Sequence, residues 1–150
     1  MKMQYRLSPQ MKEVVERAEQ AARDYRHKLV EPEDLLIGLV HLGEGEGGNF
    51  NLLSVLNVSY DTVIGVLEQR IQFGSEGALP DSLSLSMKAN EILEKAESYA
   101  NKAISPYYLL RALEETPGTL AYDILHHLNG HRELDDFEGE SWRNGEGSDD

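Results

Sequence analysis

Residues 31 to 39 read EPEDLLIGL, so that Glu31, Glu33 and Asp34 crowd around Pro32 just ahead of an apolar block. Carboxylates in the first turn of a helix complement its dipole by roughly 0.3–1 kcal/mol each, which alone gives acid a reason to be here. Three exceed what capping requires, and Glu31 is a poor N-cap residue, which keeps open a second reading of the cluster as a contact for a cationic group. A second block, SPYYLLRAL at 105 to 113, opens with a better N-cap, Ser105, and replaces the acids with Tyr107 and Tyr108. At a helix start at least one of these rings is expected to be exposed as a partner contact. Near the C-terminus, Phe137 and Trp142 stand in an acidic, glycine-rich stretch. They are expected either to cover a groove or to dock on a partner as a short motif.

Other chemistries find less support. His126, His127 and His131 are close in sequence, but adjacent residues face different sides of a helix, and Asn129 and Gly130 are expected to end it before His131. A structural metal site needs more ligands in fixed positions, so no metal is expected. No Ser/His/Asp order or nucleophile elbow occurs, and the carboxylates fall at spacings typical of a solvated helix face, so no catalytic activity is expected.

The 150 residues suffice for one compact core or two small fused halves. Without cysteine there are no disulfides, thiolate nucleophiles or Cys-ligated zinc. A net charge of −13 opposes binding to a nucleic-acid backbone and points to protein partners or cationic groups. No run approaches the roughly 20 apolar residues that cross a bilayer, and MKMQYRLSPQ lacks a secretory apolar core, so a cytoplasmic location away from membranes is expected. Residues 131 to 150 hold eight Asp or Glu against two Arg, which marks 135–150 as an acidic disordered tail.

These side chains must be positioned by helices. Met11, Val14, Val15, Ala18, Ala21, Ala22 and Tyr25 form one apolar stripe at helical spacing, begun by Ser8 and Pro9. A second helix starts at Pro32 and buries Leu35, Leu36, Leu39 and Val40. After the glycine-rich loop GEGEGGN come FNLLSVLNV and then a helix carrying Tyr60, Val63, Ile64, Leu67 and Ile71. Residues 74–82, GSEGALPDS, read as a linker.

The second half repeats the first. LSPQMKEVVERAEQAA from Leu7 aligns with LSMKANEILEKAESYA from Leu85 at an offset of 78, placing Ser86 on Ser8, Ile92 and Leu93 on Val14 and Val15, and Ala96 on Ala18. EPEDLLIGL aligns with SPYYLLRAL at an offset of 74, so the second copy lacks four residues between its first two helices. GGNFNLLSVLNV resembles PGTLAYDILHHLNG, and a fourth helix is barely present in the second copy.

AEQAARDYRHKLVEPEDLLIGLVHLGEG followed by SVLNVSYDTV resembles the Clp repeat, the N-terminal domain of the Clp protein-unfolding ATPases. Arg26 and His27 stand at that family's Gly-His turn, and Pro32 to Leu39 at its Thr-Glu-His-Leu-Leu-Leu-Gly-Leu motif. The resemblance covers about residues 5 to 130 and implies an all-α fold of two fused, pseudo-symmetric repeats of about four helices each, the last degenerate. The first repeat runs over about 5–73 and the second over about 83–134, together a 1–134 domain. No Gly-x-x-x-x-Gly-Lys-Ser/Thr phosphate loop occurs, so a free-standing domain without ATPase modules or cofactors is expected.

The resemblance implies a binding module for a substrate, adaptor or unfoldase. Alternatives are an accessory subunit docking on the Clp protease core and a homodimeric regulator unconnected with proteolysis. It also implies a phosphoarginine site, with a helix N-terminus holding the phosphate and a Glu pairing with the guanidinium. Ser8 and Glu33 match one such position, with Glu31 and Asp34 modifying its charge; at the other, Ser86 is kept but Tyr107 replaces the Glu. Because SPYYLLRAL starts its helix without acids, the acids of EPEDLLIGL are expected to be dispensable for folding.

Overall fold

The Ser8 hydroxyl accepts the Met11 amide at 3.1 Å, and with Pro9 in the first turn it starts helix α1 (Pro9–Asp24). The computed structural model describes residues 4–44, 59–75 and 77–129. In these, α1 is followed by strand β1 (Leu29–Val30), α2 (Pro32–Glu44), α3 (Tyr60–Arg70), β2 (Ser84–Leu85), α4 (Met87–Tyr99), α5 (Pro106–Glu114) and α6 (Leu120–Asn129). The expected helix in FNLLSVLNV and the tail with Phe137 and Trp142 lie outside the described residues.

The all-α expectation holds, and the apolar stripes read from the sequence are the buried ones. Met11, Val14, Val15, Ala18, Ala21 and Ala22 line the inner face of α1, and Leu35, Leu36, Leu39 and Val40 are fully buried on α2. In the second half Ala89, Ile92, Leu93 and Ala96 do the same for α4. Gly38 lets the first pair of helices approach closely, because a Cβ there would collide with the Val14 carbonyl oxygen. Ala112 occupies the equivalent place on α5.

The two copies are joined reciprocally. β1 and β2 run parallel with Leu29 opposite Ser84 and Val30 opposite Leu85, while Leu7 bridges to Ile104, also in parallel. Leu85 is the counterpart of Leu7, and Ile104 of Val30, so each copy lends the residue before its first helix to the residue before the other copy's second helix. Helical periodicity carries no trace of these short strands, which consist of two residues each.

The four missing residues come mainly from the end of the first helix and only one from the turn that follows it. α1 has 16 residues and α4 has 13; α4 ends at Ala100 in extended conformation and passes directly to the bridge at Ile104. The segment after α3 is laid along α1: Arg26 donates to the Gly77 carbonyl at 2.6 Å, Arg23 to the Asp81 carbonyl, and the Leu83 amide to Glu19 Oε2 at 3.0 Å.

Candidate binding site at the start of α2

The site grows from the end of α1. The Arg26 amide donates to the Arg23 carbonyl at 3.0 Å and the His27 amide to the Ala22 carbonyl at 2.7 Å, a paired C-terminal closure that forces Arg26 to φ +61°. That left-handed position favours glycine, the residue of the resembled motif. Arg26 occupies it while its guanidinium holds the Gly77 carbonyl.

The turn delivers His27 into the interior. Its Nδ1–H donates to Asp34 Oδ2 and its Nε2–H to the Gln72 carbonyl, both at 2.8 Å. Two acceptors require two ring protons, so the side chain is an imidazolium. The hydrogen bond to Asp34 raises its pKa to about 9 against the opposing effect of burial.

Asp34 is fully buried. Its Oδ2 also accepts the Glu31 amide at 2.9 Å, so from the third helical position it caps the start of α2, half of a capping box. Burial pushes its carboxyl up, and the bond to His27 opposes that. Oδ1 has no hydrogen-bond partner among the described residues. The expectation that all three acids are dispensable for folding is therefore corrected for Asp34. It is not a surface modifier of charge but the buried partner of a cation, a role the second copy lacks because its shortened turn contains no histidine.

Glu31 and Glu33 are half-buried. Burial first, then the neighbouring Asp34 and Glu31 carboxylates, hold Glu33 above the usual carboxylate range, while its own backbone amide acts the other way. A carboxylate raised in this manner is under-compensated and gains from the approach of a cation.

The neighbouring helix start belongs to the other repeat. The Ser86 amide donates to the Val30 carbonyl at 2.9 Å, and the Ser86 hydroxyl caps α4 through the Ala89 amide at 3.1 Å. The Ser8 amide donates instead to the Ile104 carbonyl at 3.0 Å, just before Ser105 and α5. Sequence alignment pairs Ser8 with Glu33; the reciprocal strands instead tie the start of α4, at Ser86, to the chain that leads into Glu31 and Glu33. Two large apolar residues beside this junction are exposed, Leu29 at 42% and Met87 at 84%. Met87 is legible in hindsight, since it lies off the stripe of Ala89, Ile92, Leu93 and Ala96 that α4 buries.

Tyr107 and Tyr108, of which at least one is expected to be exposed, are only 2% and 4% exposed. Their rings meet edge to face with centroids 5.3 Å apart. At the positions corresponding to Glu33 and Asp34, the second copy fills its interior with rings and keeps no carboxylate. His126 packs on Tyr122 at 4.1 Å and approaches Glu114 Oε1 at 3.2 Å, while His127 is exposed. Among the described residues no helix is long and apolar enough to cross a membrane.

The fold is shared with solved N-terminal domains. The Hsp104 N-terminal domain from Candida albicans superposes with a TM-score of 0.65 at 15% identity, covering 82% of this chain and 81% of that one. The N-terminal domain of the caseinolytic protease associated chaperone ClpD from Arabidopsis thaliana gives 0.61 at 17% identity, covering 83% and 86%. Residues 6–107 match the Clp repeat (R) N-terminal domain, and the chain belongs to that family.

Proposed function

We propose that this protein is a non-enzymatic recognition module of the Clp proteolysis system, binding a basic or phosphoarginine-bearing segment of a substrate, adaptor or unfoldase. The observation that carries the reading is the hydrogen bond from Ser86 to Val30, which sets the first turn of α4 beside the chain leading to Glu33. Free first-turn amides favour an anion, and a carboxylate beside them takes a planar guanidinium in a two-pronged contact. The His27 imidazolium matches the charge of Asp34, so the acid left near a bound phosphate is that of Glu31 and Glu33. Exposed Leu29 and Met87 offer apolar contacts for residues flanking the arginine.

The test is the affinity of labelled peptides that differ only in arginine, phosphoarginine or glutamine, measured on the wild type and Glu33→Ala. A preference for the arginine or phosphoarginine peptide that Glu33→Ala abolishes supports the reading. Equal affinities in the two proteins reject it.

A further inference from the structure

Phe73 is 67% exposed, yet the backbone on both sides of it is fixed. The Gln72 carbonyl takes the His27 Nε2–H at 2.8 Å, and the Gly74 amide donates to the Tyr25 carbonyl at 2.9 Å. Gly74 admits no side chain, since a Cβ there would collide with the Arg26 carbonyl oxygen. A large apolar ring is thus held rigidly in solvent by the same turn that carries His27.

The ring forms one wall of an open groove of about 530 Å³ between α1, α2 and α3. Tyr25 packs against Phe73 with centroids 5.0 Å apart, and Tyr60, set edge-on to His41 at 5.7 Å, lines the same groove with Ile64. Asp24 and Glu68 complete the lining on the acidic side. Both carboxylates face Tyr25: after burial, their charges are the next causes that raise its hydroxyl pKa. Glu68 is exposed and makes no ion pair among the described residues. The lining also contains His41 and Arg17, and Arg17 is paired with Glu13 at 3.1 Å.

We propose that this groove is a second docking site, separate from the one at Glu33, for an arginine side chain of a partner protein. The guanidinium lies against the faces of Phe73 and Tyr25, its charge meets Glu68 and Asp24, and a neighbouring apolar residue of the partner rests on Ile64. Rings flanked by carboxylates attract a cation through their negative faces and through direct charge together. A guanidinium suits the groove better than an ammonium because it is planar, stacks on rings and is more weakly hydrated. The proposal does not depend on the function assigned to Glu33.

The experiment uses a labelled peptide with a single arginine beside a leucine, and its glutamine counterpart, titrated by fluorescence anisotropy into the full chain. Phe73 and Glu68 are exposed, so Phe73→Leu, Phe73→Tyr and Glu68→Gln are expected to keep the wild-type thermal midpoint. The arginine peptide should bind, the glutamine peptide much more weakly. Phe73→Leu and Glu68→Gln should each weaken binding by about threefold or more, both in the wild type and in a Glu33→Ala background that silences the other site, while Phe73→Tyr preserves it. No saturable binding, equal affinity for the two peptides, or affinity unchanged in Phe73→Leu and Glu68→Gln would overturn the proposal.

Discussion

His27 and Asp34 form a buried ion pair, Nδ1–H to Oδ2 at 2.8 Å, that ties the end of α1 to the start of α2. The resembled motif has histidine at the position of Asp34. The ion pair predicts a pH dependence of stability. The pKa of His27 rises in the folded state from 6.5 to about 9, so the protonated ring stabilises the fold fully below pH 6.5 and progressively less as pH rises through 9. The carboxyl of Asp34 is itself pushed up, so this pair removes no stability on the acid side. Denaturant unfolding should show a loss on the order of 2–3 kcal/mol between pH 6.5 and 9.5 that is absent in Asp34→Asn. Parallel pH profiles in the two proteins would contradict this.

Gly38 and Gly65 lie in helices but predict opposite outcomes for alanine. A Cβ at Gly38 meets the Val14 carbonyl oxygen and lies 3.0 Å from Val14 Cγ1, whereas nothing lies within 4 Å of one at Gly65. Gly38→Ala should lower stability by about 1–3 kcal/mol through overpacking. Gly65→Ala should raise it by about 0.5–1 kcal/mol through helix propensity. Thermal or urea unfolding of the two variants checks both signs.

Tyr107 and Tyr108 belong to the core, so their truncation should act on folding and not on partner affinity. Tyr107→Ala and Tyr108→Ala should each cost roughly 3–5 kcal/mol. Near-native stability in either variant, measured by urea unfolding, would mean that the ring is not packed as described.

The helices were legible because a period of 3.6 residues with caps at Ser8 and Ser86 is written locally. Val14 and Leu35 announce their burial by spacing alone. The site was only partly legible, because its decisive contacts are non-local. Nothing near Asp34 in the sequence says that His27 is its partner; the family motif hides it further by having histidine at the same position. Ser86 and Val30 meet across more than fifty residues through strands too short to leave a pattern. Tyr107 and Tyr108 turn inward at the positions that hold Glu33 and Asp34 in the first copy, which their placement at a helix start does not reveal. Phe73 likewise carries no signal in its own spacing, since its exposure is set by its neighbours' bonds to Tyr25 and His27.

The central claim is that recognition joins Glu33 of the first repeat to the helix start at Ser86 of the second. It is tested most directly by calorimetric titration of one phosphoarginine peptide into the wild type, Glu33→Ala, Ser86→Ala and Ser8→Ala. Loss of a serine cap costs roughly 1 kcal/mol of helix stability in either serine variant, so stability alone does not separate them. Affinity should fall about fivefold or more in Glu33→Ala and Ser86→Ala and stay at the wild-type value in Ser8→Ala. A loss in Ser8→Ala with none in Ser86→Ala, or no loss in Glu33→Ala, would contradict the account.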